Sequence, residues 1–474
     1  MAASLEAPDG LNPLLGAIPQ ELRQGVFSRL GLKDRHGTKL TLDLTVDFLA
    51  AAALRPNLGS TTVLEELIAI RGAPPNWGKE YLPHSSQITE ARDRAGWKAI
   101  RELFRDHATW VDASTSRSRW KGLRVGAIDG STLRAEDSAE NESAFGRPAG
   151  RNGPGGFPVL RALALVDVQT HHVQAATFGR YNGKGSGETS LLRDSLLGQV
   201  PADWLSLLDR GFCCYGTMRD YCQANRKFMG RMKRSGTWIR PRKRETLRAG
   251  LDWLVELPVP ASFNRHDDAR PLQLRMMRWS IPKRRSKRSN LGSLRTKRAR
   301  AQRAKAKKEQ VKASRTKTKK TTTSKRPRQL WLLTNLTDVR KYPYEELAPL
   351  YLRRWEVEFV FREIKTTLTS RKVEFRTKKP ERVLQEAYAL LLTYNAIRLR
   401  MAQAAKIARV EPRQLSFKDC LEASRRAYFH GDPVRLLLRR LTRYVLKARP
   451  PRSYPRAVKA RSTRFPTKAS ANAA

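Results

Sequence analysis

Two short apolar runs, each halted at an aspartate, constrain this chain more than any other feature. One is LRVGAI (123–128), followed by Asp129 and Gly130; the other is WLSLL (204–208), followed by Asp209, Arg210, Gly211 and Phe212. Runs this short suit strands buried on both faces, not core helices. The segments around them supply the rest of a sheet. VLRALALVDV and HHVQAATFGR read as a strand pair turning near Gln169 and Thr170, GETSLLRDSLL as a helix, 215–224 as a helix and KFMGRMKR as a strand. The order strand–strand–strand–helix–strand–helix–strand is an α/β pattern with a mixed sheet. Each aspartate is expected to end its strand, at the rim where α/β sheets build sites, although an aspartate opening a turn is also common.

Helical sequence brackets this region. Residues from about 15 to 110 carry helix-period apolar positions, interrupted by Pro56 and Gly59, with Ser85 or Ser86 as the expected N-cap of the last helix. That helix bears Arg92, Arg94, Lys98, Arg101 and Arg105, which suit a solvated face or a DNA-facing one equally. From about 380 the chain is helical again. Residues 235–282 break the α/β pattern with Trp238, Trp253, Trp279 and turn-forming residues, and read as a β-rich insertion. The strand-like QLWLLTNLTD and a long helix over YPYEELAPLYLRRWEVEFVFREIKTTL then complete the interrupted domain. The expected organisation is a helical region at 1–115, the α/β domain at 116–234 and 329–375, the insertion at 235–328, a helical region at 376–448 and a basic tail at 449–474.

The formal net charge is +49, from 93 Lys+Arg against 44 Asp+Glu in 474 residues. Residues 283–328 hold 21 of the basic residues and one acid, Glu309; residues 439–474 hold 11 and no acid. The remainder still carries +18, that is 49 − 20 − 11. With 40% hydrophobic residues the chain is no disordered polycation, and a surface this basic calls for a polyanionic partner. The two extreme segments should add sequence-independent affinity that falls steeply with salt, each neutralised phosphate contributing a slope of about −0.9 in log K against log salt. Adjacent Cys213 and Cys214, with Cys222 and Cys420, fit neither a disulfide framework nor zinc-ligand spacing and are read as reduced. No basic n-region, long apolar h-region or run of eighteen apolar residues occurs, so the expectation is an intracellular chain that does not span a membrane.

Tyr351, Arg354, Glu358 and Lys365 lie 3, 4 and 7 residues apart. At about 100° per residue they share a stripe roughly 60° wide, while Val357, Val360 and Ile364 face inward. Glu356 and Glu363 fall about 120–140° round the helix and suit ion pairs. By spacing alone Arg354 and Glu358 are an ordinary i,i+4 pair. Beside Asp129 and Asp209, the same glutamate completes a set of three carboxylates suited to hard divalent cations and to two-metal phosphoryl transfer.

The sequence resembles the DDE transposases of bacterial insertion sequences, in the insertion-sequence-four group. That group's signature Y-x2-R-x3-E-x6-K stands intact as YLRRWEVEFVFREIK, and its two aspartate settings are matched by AIDGSTLR and LLDRGF. The resemblance covers most of 30–430. It implies an RNase H-like (retroviral-integrase-like) catalytic domain interrupted by a β-rich insertion. It further implies Asp129, Asp209 and Glu358 as ligands of two Mg²⁺ ions, with Mn²⁺ as a substitute, and Tyr351, Arg354 and Lys365 as contacts to the DNA backbone. Arg210, in the second aspartate setting, is a further expected DNA contact, and Trp279 or Trp253 an expected support for a flipped base. The activity implied is cut-and-paste transposition through a hairpin intermediate, by a homodimer acting on terminal inverted repeats and target DNA in the bacterial cytoplasm, at the nucleoid.

Overall fold

The computed structural model describes residues 14–74, 76–78, 81–115, 119–150, 153–233, 241–263, 268–281, 328–371 and 373–447. The Lys/Arg tract up to residue 327, the tail from 448 and Trp238 lie outside them. The N-terminal helices are α1 (Gln20–Arg29), α2 (Leu42–Leu54), α3 (Ser60–Arg71) and α4 (Ser85–Ser114). His84, not a serine, caps α4: its ring accepts from the Ser86 N–H while Gln87 reaches back to the His84 N–H. Gly96 (φ 68°, ψ 163°) breaks α4 midway, a conformation that L side chains adopt only at a cost.

The strands are β1 (Arg124–Arg134), the short ribbon β2 (Ala149–Gly150) and β3 (Gly153–Pro154), β4 (Val159–Asp167), β5 (Val173–Arg180), β6 (Trp204–Leu208), β7 (Lys227–Arg231), β8 (Arg242–Arg248), β9 (Asp252–Leu257), β10 (Leu272–Ile281) and β11 (Arg328–Thr334). Among the described residues nine of them form one sheet, in the order β5-β4-β1-β6-β7-β11-β10-β9-β8. β4 and β5 run antiparallel to their neighbours, whereas β6 and β7 run parallel to β1. Beyond β1 come α5 (Ala139–Phe145), then α6 (Glu188–Leu191) before β6 and α7 (Tyr215–Gln223) before β7. The expected order of strands and helices is therefore present, as a mixed α/β architecture.

One expectation changes. β1 does not stop at Asp129: it continues to Arg134 because β4 pairs with it as far as Arg134↔Val159, and only its pairing with β6 ends, at Ile128↔Leu208. The β-rich segment expected as an insertion joins the same sheet. β11 pairs antiparallel with β7, and β10, β9 and β8 follow it in the same sheet. The open edge of β7 would otherwise expose unpaired N–H and C=O groups, and the returning chain satisfies them.

Strand alternation divides the core. Ala127, Leu205, Leu207, Met229, Met277 and Leu332 face one apolar cluster; Ile128, Trp204, Leu208, Phe228, Met276 and Leu333 face the other. The first side is covered by the terminal helices and by the helical run 344–368. That run changes type along its length: α8 (Tyr344–Leu352), a 3-10 turn (Arg353–Trp355), α9 (Glu356–Arg362) and a π-helical turn (Glu363–Leu368). After it come α10 (Pro380–Ala408), α11 (Phe417–His430) and α12 (Val434–Leu441). α4 lies along α10, with Trp97 stacked on Tyr388 at 6.3 Å. Arg92 bonds Gln385 and Glu386, Arg94 the Leu40 carbonyl, and Arg101 and Arg105 bond Glu102. Arg92 and Arg94 thus tie α4 to its neighbours, whereas Arg101 and Arg105 pair within it. Among the described residues no helix is long and apolar enough to cross a membrane, and all four cysteines are free.

Candidate active site

The parallel pairing of β1 with β6 ends at Ile128↔Leu208, so the next residue on each strand is an aspartate. Alternation puts Asp129 on the side of Ala127 and Asp209 on the side of Leu207, the face covered by the helical run 344–368. Val357, Val360 and Ile364 seat that run on the sheet as expected, each at most 2% exposed. Glu358 stands on that run one turn after Arg354. The Arg354 guanidinium lies among them, 3.7 Å from Asp129 Oδ2, 3.9 Å from Asp209 Oδ1 and 3.6 Å from Glu358 Oε1. Two strands and one helix therefore meet at a single buried cation.

The other signature residues are tethers. The Tyr351 hydroxyl donates to the Leu208 carbonyl at 3.0 Å, at the end of β6. Lys365 Nζ donates to the Thr132 carbonyl at 2.6 Å, on the extension of β1. The helix is pinned on either side of Glu358 to the two strands that carry the aspartates. Tyr351 is 3% and Arg354 6% exposed, and in the protein without DNA their polar groups are engaged by the Leu208 carbonyl and the three carboxylates. The tight turn before α9 and the wide turn after it also take these residues off the regular stripe that an ideal helix would present.

The family model described as a transposase DDE domain matches residues 120–396. The chain belongs to the DDE transposase family. It is 28% identical over 394 residues, 81% of this chain and 78% of the relative, to the Escherichia coli K12 transposase InsG for insertion sequence element IS4, which supports membership of the insertion-sequence-four group. A putative transposase, InsZ, of the same organism is 30% identical over 129 residues, 27% of this chain and 42% of the relative. A piggyBac transposase synaptic complex with hairpin DNA aligns at a TM-score of 0.41 and 11% identity, covering 94% of this chain and 90% of that one.

In the transposase the three carboxylates differ in environment. Asp209 and Glu358 are 44% and 49% exposed, Asp129 only 24%. Burial pushes the Asp129 carboxyl up to about 6, with Glu188 and Asp209 adding to the rise, while the Gly130 N–H and Arg354 oppose it. A carboxyl raised on folding destabilises the folded state once ionised. In metal-free protein Asp129→Asn should therefore be about 1–3 kcal/mol more stable than the wild type near pH 7 and equal to it below about pH 4. The gain should open between 3.8 and about 6; urea denaturation at the two ends of that window measures it. Among the described residues no three His, Cys, Asp or Glu side chains are grouped closely enough to hold a metal ion as the side chains stand.

A small cleft of about 70 Å³ opens beside Asp209 and Arg354, bounded by Arg231, Gln329, Leu330, Tyr351, Leu352 and Trp355. Arg210 is exposed in the turn that follows Asp209. Trp279 is partly buried and pairs across the ladder with Leu330, a wall of the cleft. Trp253 is instead 4% exposed and stacks on Trp331 in the other core. Sequence reading missed Trp355, 45% exposed with the Arg354 guanidinium 5.0 Å from its ring. Its position three residues before Glu358 was the available signal, since i and i+3 share a helix face. Arg231, at the end of β7, had no such signal: its place depends on sheet order.

Proposed function

We propose that this transposase excises and inserts a DNA element by metal-dependent strand cleavage and strand transfer. The observation that carries the reading is Arg354 within 4 Å of all three carboxylates. A set of three oxygen donors converging on one cation fits a hard divalent ion. Asp129, Asp209 and Glu358 would hold two Mg²⁺ ions, or Mn²⁺ in their place. When bound, such ions activate the attacking oxygen and stabilise the leaving one in an in-line displacement.

The chain's own residues do the positioning. Arg354 offsets the mutual repulsion of three carboxylates held together in the free protein. Tyr351 and Lys365 fix the helix against β6 and β1. Exposed Arg210, at the rim beside Asp209, suits a phosphate oxygen, and Trp355 and Trp279 offer aromatic surface near the cleft. The strand order β5-β4-β1-β6-β7, antiparallel on one side of β1 and parallel on the other, supports an RNase H-like core with β8–β10 as its added strands and β11 as part of the completed domain. Under this reading the substrates are the terminal inverted repeats and target DNA, a homodimer brings the two ends together, and the ends are cut through a hairpin.

The test is a linear DNA carrying the element's two ends, incubated with the purified chain and Mg²⁺. Nicks that free a 3′-OH at each end, hairpin ends, and joining of pre-cut ends to a target plasmid are the expected products, all lost in chelator. Equal cleavage in chelator, or cutting with no joining, would overturn the proposal.

A further inference from the structure

The back of the glutamate helix carries a buried polar network that the proposed chemistry does not use. Glu356 and Glu363 flank Glu358 and were expected only as ion-pair partners. Glu356 Oε2 lies 2.8 Å from His171 Nε2, and its other oxygen 3.4 Å from Arg413. Glu363 pairs with Arg398 and accepts from the Tyr394 hydroxyl at 2.7 Å. Arg398 closes the chain, donating to the Tyr394 oxygen at 2.9 Å and facing His171 Nδ1 at 3.3 Å.

Donor arithmetic sets the direction of these bonds. A guanidinium only donates, so His171 Nδ1 facing Arg398 is the unprotonated nitrogen. Nε2 then carries the proton and donates it to Glu356. His171 is 5% exposed and sits in the β4–β5 turn at φ 65°, an uncommon backbone conformation for a side chain of this size. The network thus joins a sheet turn, α10 and the segment after it to two points on one helix. Apolar packing by Val357, Val360 and Ile364 presses that helix onto the sheet but tolerates sliding; directional bonds to buried charges do not.

We propose that His171 and Glu356 are positioning residues for Glu358, setting the place of its carboxylate from behind the helix. The inference rests on the reading of Glu358 as a metal ligand. Partners that orient metal ligands from outside typically alter metal affinity or activity by about 10–100-fold when removed.

The experiment measures Mn²⁺ binding to full-length protein on its end DNA, from loss of the free-ion paramagnetic signal, together with end affinity and Tm. Glu356→Ala should weaken Mn²⁺ binding by about tenfold or more with end affinity unchanged. Glu356→Gln should restore binding to within about threefold, because its amide oxygen still accepts from His171. His171→Asn is the second variant, since asparagine tolerates this backbone conformation but is too short to reach Glu356; it should reproduce the Mn²⁺ defect. A lowered Tm with unchanged Mn²⁺ binding in both Glu356→Ala and His171→Asn would make the network purely structural and overturn the inference. Wild-type protein that binds no Mn²⁺ on its ends would instead remove the functional reading beneath it.

Discussion

Glu358→Ala protein should bind element ends like the wild type and nick them about a thousandfold more slowly or worse. The side chain is half exposed and its closest cation is 3.6 Å away. Alanine is the best helix former, so the fold should change by no more than about 0.5 kcal/mol. The chemistry has no such reserve. Residues that act as a unit lose most of their joint effect when one is removed, and in the proposed site two aspartates cannot replace the third ligand. Single-turnover nicking of bound ends measures the effect, with a mobility shift as the control. A rate within tenfold of the wild type would take Glu358 out of the reaction.

Asp252→Ala should cost about 3–5 kcal/mol of stability, by leaving a buried charge without its partner. Arg275 and Asp252 are 0% and 1% exposed, and Arg275 donates through Nε at 3.0 Å and Nη2 at 2.5 Å to the carboxylate. Its remaining nitrogen donates to the Tyr342 carbonyl at 2.6 Å, just before α8. The pair thus ties β9 and β10 to the start of the helical run that holds Glu358. Replacing both partners, as Asp252→Leu with Arg275→Met, should recover much of the loss, because it removes the cost of keeping charges out of water. Urea denaturation of the single and double variants separates these outcomes. Equal stability of Asp252→Ala and wild type would mean that water reaches the guanidinium.

Much of the fold was legible because its signals are local. A five-residue apolar run stopped by Asp209 can do little but cross the core. The turn at Gln169 and Thr170 and the inward face of Val357, Val360 and Ile364 follow from period and punctuation in the same way. The partition of the β-rich segment was not legible, since pairing between β11 and β7 joins residues about a hundred positions apart and leaves no periodic trace. The same holds for Trp253 and Trp279: both read as strand tryptophans, and only the ladder shows that one faces the cleft side and the other the opposite core.

The site divides likewise. Sequence alone supplied its candidate residues: three carboxylates, two in short aspartate settings and one in a spaced signature, because residue type and local spacing are covalent facts. Tertiary structure decided their arrangement. The register Ile128↔Leu208 makes neighbours of two aspartates eighty residues apart, and helix packing turns Arg354 inward to all three carboxylates. A helical wheel places residues around one axis and is blind to what covers that axis. For the same reason it ranked Tyr351, Arg354 and Lys365 as one exposed stripe, whereas the fold buries the first two and ties Tyr351 and Lys365 to the strands that the aspartates occupy.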